Sequence, residues 1–276
     1  MPYSVLKPAF YTVPIGNNVD ATDPSGGILG CPPSTETVTF VLSIAFQVTT
    51  LILAGTAIVR GGNPEVLNIV LWMEFVVQLV EVIWYGGVGL YTTLNKVEIE
   101  IKYRYADWMI TTPVMLVSVM FFAIFEADSA CVKGSDLLNS PSRIAAFICI
   151  IVFDEIMLFI GYTYEANEAD LKRKSMATAK SYLDAIGGLN FGFVPFIGAF
   201  VPLVVVAATS YSVWGLVSVL ITFFTWALYG VVAIVIKDKA SKNTAYNLLD
   251  IVSKNLVGIV IAALALSTDY DEICVQ

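Results

Sequence analysis

The sequence predicts an all-α membrane protein folded as a bundle of seven transmembrane helices. Hydrophobic residues make up 57% of the 276 residues and charged residues only 14%, whereas an ordinary soluble domain carries about 25% charged residues. The apolar residues are also gathered into long runs, and a helix needs about 20 such residues to cross a bilayer. Because lipid offers no partners to backbone polar groups, helices are the expected form of these runs.

Seven runs meet this length requirement. They cover residues 37–59, 66–92, about 103–125, 144–164, 185–236 as two spans, and about 244–267. The polar cluster 209–212 is the natural break within the 52 uncharged residues of 185–236. Residues 167–180 have mixed charge and are expected to form a solvated connection. Short connections favour one compact bundle.

The bundle is predicted to occupy residues 36–268. Residues 1–35 lack a basic start followed by an apolar stretch, so we expect an extramembrane N-terminal arm and no signal peptide. Residues 269–276 are expected to form a short C-terminal tail.

Composition also excludes several functions. The formal net charge is −8, so no basic surplus is available for binding nucleic acid. The chain has no histidine, which excludes a histidine metal site and a histidine proton relay. No metal site is predicted, and we do not expect an enzyme.

Ionisable groups inside a membrane span are costly and usually functional, and six of those in the predicted spans are informative. They are Arg104, Asp107, Asp154, Glu155, Asp250 and Lys254. Lys254 lies in the middle of its span, and Asp250 precedes it by one turn on the same helix face. The cluster could be structural. Alternatively, Lys254 could hold a carbonyl compound as a Schiff base, with Asp250 and Asp107 as candidate counter-ions.

The third span adds polar groups on one side of a helix. Thr111 follows Asp107 by four residues, and Ser118 lies eleven residues beyond Asp107, about 16 Å along the axis. Large apolar side chains could line a flat pocket beside this face. They are Trp108, Met115, Met157, Trp226 and Tyr229.

Two segments then resemble a known family. The sequences RYADWMITTPVML (104–116) and YNLLDIVSKNLVG (246–258) look like the third and seventh helices of microbial (type 1) rhodopsins. The resemblance implies all-trans retinal bound covalently at Lys254. It implies Asp107 as the primary counter-ion and proton acceptor, Asp250 as the second counter-ion, and Arg104 as a link to the exit side.

The resemblance also implies a retinal pocket. Trp108, Trp226 and Tyr229 would enclose the polyene, and Met115 would lie near it. An aspartate on the fourth helix would bond a threonine on the third, here Asp154 and Thr112. The remaining implied contacts are Met157 and Gly161 near the retinal ring and Ser253 beside Lys254.

Three positions on the third helix distinguish the subfamilies, and here they read Asp107, Thr111 and Ser118. This D-T-S pattern resembles a branch that includes viral members, and its first acid resembles outward proton pumps. Ser118 stands where a carboxylic proton donor is usual, so another route must resupply the proton.

Two alternatives stay open beside the pump. Glu74 and Glu81 are seven residues apart on one face of the second helix, which resembles the acidic row of light-gated cation channels. They could equally be hydrogen-bonded groups facing the bundle. A sensory photoreceptor that acts through a partner protein is the other alternative.

The expected partners are protons or small cations, membrane lipid and further copies of the chain. The resemblance implies an extracellular N-terminus, which leaves three basic residues inside, Arg60, Lys133 and Arg143. The outer segments then hold ten basic residues: Lys7, Lys96, Lys102, Lys172, Arg173, Lys174, Lys180, Lys237, Lys239 and Lys242. The positive-inside rule favours the opposite orientation. We adopt the family orientation because acidic residues accompany several of these lysines.

Overall fold

The computed structural model describes residues 35–89, 101–127, 133–173, 179–268 and 270. Within these ranges, seven helices are long and apolar enough to cross a membrane, and no strand occurs. This confirms the predicted fold class. The helices are α1 (Thr35–Arg60), α2 (Glu65–Trp84), α3 (Tyr105–Ala127), α4 (Pro141–Arg173), α5 (Ala179–Thr209), α6 (Val213–Val235) and α7 (Lys239–Ser267).

Two helices contain wider π-helical turns. α2 continues as a π-helix over Tyr85–Gly89, and α7 is π-helical over Ile251–Asn255 between two α-helical halves. A short 3₁₀ turn, Ile101–Arg104, precedes α3. Such π turns within helices often occur at functional sites, and the one in α7 contains Lys254.

The predicted boundaries agree with the structure at the break between α5 and α6. α5 ends at Thr209 and α6 begins at Val213. Ser212 caps α6, because its side chain accepts a hydrogen bond of 2.8 Å from the backbone N–H of Gly215. The segment 167–180 is more helical than expected, since α4 runs to Arg173 and α5 begins at Ala179.

The helices follow one another around the bundle. Each helix packs against the next along the chain, and α7 closes the ring against α1. α3 also contacts α5 and α6, so it is the most enclosed helix. We call the end of the bundle where α3 begins the Arg104 end, and the end where α1 finishes the Arg60 end.

Apolar side chains cover the outside of the bundle and also fill its core. Val59 is 87% exposed and Phe159 is 64% exposed, which is the arrangement expected of helices facing lipid. The main apolar core includes Leu71, Leu116 and Met120. It occupies the half of the bundle nearer the Arg60 end.

Most of the predicted N-terminal arm and C-terminal tail, at residues 1–34 and 271–276, lies outside the described residues, as do residues 90–92 of the predicted second span. Lys242, counted above among the basic residues of outer segments, is only 1% exposed and forms an ion pair of 3.1 Å with Glu165. One of the ten charges that oppose the adopted orientation is therefore a buried, paired group.

Candidate functional site

The centre of the bundle holds a buried lysine amine. Lys254 lies in the π-helical turn of α7 and is 2% exposed. Its Nζ is 5.9 Å from the centre of the Trp108 ring and 3.5 Å from the hydroxyl of Thr111. A lysine charge at this depth requires anionic partners.

Three carboxylates from three helices supply those partners. Lys254 Nζ donates a hydrogen bond to Glu81 on α2. It lies 3.5 Å from Asp250 one turn earlier on α7, and 3.8 Å from Asp107 on α3. The sequence predicted that Asp107 and Asp250 lie near Lys254. For Glu81 it predicted only that the side chain shares a face of α2 with Glu74. Which side chain α2 brings to the amine depends on the packing of α2 against α7, and no local pattern specifies that.

Asp250 is fixed by neighbouring donors. Its carboxylate accepts hydrogen bonds from the hydroxyl of Tyr85, from the hydroxyl of Tyr229 at 2.6 Å, and from Arg104 at 3.2 Å. Arg104 also donates to Tyr85 at 2.8 Å. The Asp250 lone pairs are thereby occupied by several donors, and the network leads from Lys254 toward the Arg104 end.

Arg104 is itself almost completely enclosed. It is 1% exposed, and its guanidinium also donates to Asn243 at 3.2 Å and to Asn247. The two asparagines lie on α7, one turn apart and on the same face as Asp250. Sequence reasoning did not assign them, although they precede Asp250 by seven and three residues, a helical spacing that could have found them.

Asp107 differs from Asp250 in its hydrogen bonding. Neither of its carboxylate oxygens receives a hydrogen bond from the described residues, although both are buried. Its Oδ2 atom lies 3.8 Å from the Lys254 amine. Asp107 therefore keeps free lone pairs close to the amine, as a proton acceptor must.

A cavity opens beside Lys254 on the side of α3 that faces α4, α5 and α6. Its lining is mainly apolar and aromatic. The lining residues are Tyr105, Trp108, Thr112, Met157, Leu158, Gly161, Gly192, Phe193, Phe196, Trp226, Tyr229, Gly230, Ala233, Tyr246, Ser253 and Lys254. A flat apolar molecule with one reactive carbonyl end fits this combination of aromatic walls and a single amine.

Two glycines shape the walls of this cavity. A β-carbon at Gly161 would lie 2.7 Å from the Tyr105 hydroxyl, and one at Gly230 would lie 2.7 Å from the Phe193 ring. Both distances are shorter than van der Waals contact, so these positions let an aromatic side chain approach a helix backbone closely.

Comparison with known proteins assigns the family. The profile of the bacteriorhodopsin-like protein family matches residues 34–268. The chain belongs to this family. Membership confirms the predicted microbial rhodopsin, and it agrees with the prediction that the chain is not an enzyme. No curated protein was found to match the sequence.

Solved structures share the rhodopsin fold. The viral rhodopsin OLPVRII is 24% identical, with a TM-score of 0.61 over 84% of this chain and 98% of that one. Halorhodopsin, a light-driven chloride pump, is 14% identical, with a TM-score of 0.61 over 89% of this chain and 100% of that one. Cyanorhodopsin from the cyanobacterium Tolypothrix sp. NIES-4075 is 17% identical, with a TM-score of 0.62 over 89% and 99%. At these identities the likeness shows the fold alone.

The structure of this rhodopsin brings most of the predicted pocket residues to the cavity. Eight of them line it: Trp108, Thr112, Met157, Gly161, Trp226, Tyr229, Ser253 and Lys254. Asp154 stands behind this wall, where it accepts a hydrogen bond of 2.7 Å from Thr112. Met115 lies in the apolar core and is not among the lining residues.

Several lining residues were not predicted. Tyr105, Phe193, Phe196 and Tyr246 come from three helices. In sequence they are aromatic residues in apolar helices, which are common in any membrane bundle. Only the assembled fold distinguishes the aromatic side chains that face the cavity from those that face lipid.

Ser118, the third residue of the D-T-S pattern, is also buried. It is 0% exposed, and its single hydroxyl proton is donated to Glu74 on α2, at 2.5 Å, with the carbonyl of Met115 as a second acceptor at 3.0 Å. The sequence treated Ser118 and Glu74 as separate features, whereas the packing of α2 on α3 makes them a pair.

Proposed function

We propose that this rhodopsin is a light-driven outward proton pump that holds all-trans retinal on Lys254. The observation that carries the proposal is the buried Lys254 amine, which lies among Glu81, Asp107 and Asp250 and opens on an aromatic cavity. An amine surrounded by acceptors can give up a proton and take one back without an external base.

Retinal would supply light absorption and a change of shape while joined to the Lys254 nitrogen as a protonated Schiff base. Trp108, Trp226 and Tyr229 would hold its chain, and Met157 and Gly161 would bound its ring. Among these aromatic groups, the rings of Trp108 and Tyr229 pack against each other with 5.4 Å between their centres. Close aromatic packing excludes water from the amine and strengthens its electrostatic interactions.

We assign Asp107 as the acceptor of the Lys254 proton, because both of its oxygens are without a hydrogen bond from the described residues and one lies 3.8 Å from the amine. The oxygens of the other two carboxylates are already occupied: Glu81 accepts bonds from Lys254 and Gln47, and Asp250 accepts bonds from Tyr85, Tyr229 and Arg104. Transfer to Asp107 neutralises both members of the ion pair, so it removes two buried charges in one step. The proton can then leave through the polar groups around Arg104.

The charge at the amine also favours protons over anions as the transported ion. Three carboxylates contact or approach Lys254 Nζ, so a chloride ion at this place would be repelled by them. The fold is shared with a chloride pump, but fold similarity does not determine the ion.

We place the N-terminus outside, so that the Arg104 end faces the extracellular medium and the proton leaves outward. The support is the chain of polar contacts from Lys254 through Asp250 and Arg104 to Asn243. The opposite half is filled by the apolar core. A proton is therefore released most easily through the polar half of the bundle, at the Arg104 end.

Illumination of intact cells in unbuffered medium tests the proposal. We expect acidification of the medium that an uncoupler abolishes, and a photocurrent that persists at zero driving force. Asp107→Asn should bind retinal but produce no acidification, which separates transport from pigment formation. Alkalinisation by a correctly folded pigment would overturn the outward direction.

A light-gated cation channel is the second candidate, and one feature of the structure favours it. Buried polar residues form a seam between α1, α2 and α7 along the bundle. They are Thr39, Ser43, Gln47, Thr50, Glu74, Gln78, Glu81, Asn243, Asn247, Asp250 and Asn255, each at most 6% exposed. Bonds cross the seam from Asn247 to Thr39, at 3.1 Å, and from Gln47 to Glu81, at 3.2 Å.

The same current measurement separates the two candidates. A channel passes current down the ion gradient, so its photocurrent reverses sign when the gradient is reversed. A pump current keeps its sign through that range of voltages. A reversing current that depends on Glu81 and Gln47 would establish the seam as a conduction path and exclude the pump.

A further inference from the structure

We infer that Glu74, on α2, is the internal proton donor that reprotonates the Lys254 nitrogen, and that Ser118 positions it. This inference rests on the proposed proton pump. A pump whose acceptor lies toward the Arg104 end needs a proton source on the opposite side of Lys254. Ser118 is a hydroxyl and cannot act as that acid at neutral pH.

Among the buried carboxylic acids of the described residues, Glu74 lies farthest toward the Arg60 end. It is 1% exposed. The other buried acids are Glu81, Asp107 and Asp250 at the amine, Asp154 against Thr112, and Glu165 against Lys242. Glu74 therefore lies on the side of the amine from which the pump must take up its proton.

The surroundings of Glu74 favour its neutral form. Its Oε1 atom accepts the hydrogen bond from Ser118, and its Oε2 atom has no hydrogen-bond partner among the described residues. No cation forms an ion pair with Glu74 among the described residues. An ionised carboxylate is very costly in an apolar interior without a cation, so a stored proton is the stable arrangement.

The free oxygen of Glu74 faces the helix that carries Lys254. A β-carbon at Gly258, one turn beyond Lys254 on α7, would lie 3.0 Å from Glu74 Oε2. The absence of a side chain at Gly258 lets the carboxyl group approach α7 closely. One oxygen of Glu74 is hydrogen-bonded to Ser118 on α3, and its other oxygen faces α7.

A route connects Glu74 with the amine. Glu74 precedes Glu81 by seven residues, about 10 Å along α2, which is too far for direct transfer. Gln78 lies between them, and neither atom of its buried amide has a partner in the described part of the chain; the same is true of Asn255 Oδ1. Buried amides of this kind commonly bond to internal water, which would carry the proton along α2 and α7.

Infrared spectroscopy of the purified protein tests the stored proton directly, with and without retinal. We expect a protonated carboxyl C=O band that persists at neutral pH, disappears in Glu74→Gln, and moves to higher frequency in Ser118→Ala because one hydrogen bond is lost. The half-buried Glu126→Gln is the matched control and should leave the band unchanged. Identical spectra for wild type and Glu74→Gln would show that Glu74 is not protonated and overturn the inference.

Flash photolysis tests the transfer. In Glu74→Gln, deprotonation of the Lys254 nitrogen should keep its rate, and reprotonation should slow about a hundredfold, within the usual contribution of a positioned acid. Reprotonation should then depend on external pH and be restored by azide. Ser118→Asp added to Glu74→Gln should also restore it, by supplying an acid from α3. Unchanged reprotonation in Glu74→Gln would reject Glu74 as the donor even if the wild type pumps.

The two proposals fail separately. If the wild type shows no acidification or a reversing photocurrent, the pump is wrong, and slowed reprotonation in Glu74→Gln still identifies Glu74 as the proton source. If the wild type pumps and Glu74→Gln retains wild-type reprotonation, only the donor assignment is wrong.

Discussion

Glu81, on α2, accepts a hydrogen bond from Lys254 Nζ and approaches that nitrogen more closely than Asp107 does. Gln47 on α1 donates to the other oxygen of Glu81, at 3.2 Å, so the carboxylate is held from two sides. The counter-charge of the amine is consequently shared by α2, α3 and α7. A description with Asp107 and Asp250 alone is incomplete.

Glu81→Gln is expected to shift the visible absorption of the pigment to the red, at least as far as Asp107→Asn does. In a retinal Schiff base at Lys254, light would move positive charge away from the nitrogen, so a nearby carboxylate would stabilise the ground state more than the excited state. At about 4 Å and an effective dielectric constant of about 20, one such charge contributes about 4 kcal/mol. This energy is an upper limit on the decrease in the excitation energy of the pigment when the Glu81 charge is removed.

Absorption spectra of the two purified pigments check this prediction, and Glu126→Gln is the control because Glu126 is half-buried at the far end of α3. Only Asp107→Asn is also expected to stop acidification outright. A Glu81→Gln pigment with the wild-type spectrum would mean that Glu81 is not a counter-ion.

Lys254→Ala should abolish the visible absorption band when the protein is expressed with retinal. Lys254 supplies the amine among the residues that line the cavity, so retinal cannot be linked covalently there without Lys254. Adding a small soluble amine together with retinal should restore part of the band, because the aromatic walls remain. Lys237→Gln is the comparison variant and should retain the band. A full band in Lys254→Ala without added amine would refute the retinal site.

The sequence was sufficient for the fold and for the centre of the site, because both depend on local patterns. The seven apolar runs predicted seven helices, and the polar residues 209–212 located the turn between α5 and α6. Asp250 and Lys254 share a helix face at four-residue spacing, so their contact follows from helix geometry. Such features need no knowledge of how the helices are arranged.

Contacts between helices were harder to predict. The pairs Glu81–Lys254 and Glu74–Ser118 join residues 173 and 44 positions apart in the chain. The seven-residue spacing of Glu74 and Glu81 placed both on one face of α2, but the depth and rotation of α2 decide which residue each one meets. These are set by side-chain packing over the whole bundle.

Thr112→Ala is expected to lower the free energy of unfolding by about 1 kcal/mol, the scale of a hydrogen bond between membrane helices. Thr112 donates to Asp154 at 2.7 Å, and its loss leaves a buried carboxyl group without that donor. Thr222→Ala is the matched control, since the 1% exposed Thr222 donates its hydrogen bond to the Ser218 carbonyl of its own helix. Thermal loss of the visible band in detergent measures both.

A double-mutant cycle with Asp154→Leu isolates the pair, because leucine cannot accept the hydrogen bond. If the bond couples α3 to α4, the double variant should lose less stability than the two single variants together. Strict additivity would show that the 2.7 Å contact makes no net contribution to stability.

The buried ion pair between Lys242 and Glu165 lies outside the Lys254 site, and its disruption is expected to destabilise the fold. Lys242 is 1% and Glu165 5% exposed, and the amine contacts both carboxylate oxygens, at 3.1 and 3.2 Å. Lys242→Met leaves Glu165 as a buried charge without this partner, a change that typically costs about 3–5 kcal/mol.

Adding Glu165→Gln to Lys242→Met should recover a large part of that loss, because replacing both partners removes the uncompensated charge instead of stranding it. Tyr246, which donates to Glu165 at 3.4 Å, can bond equally well to the amide oxygen of glutamine. Thermal denaturation of the wild type, both single variants and the double variant measures this recovery. If the double variant were the least stable of the four, the desolvation argument would be wrong, and the pair would be a net stabiliser that joins α4 to α7.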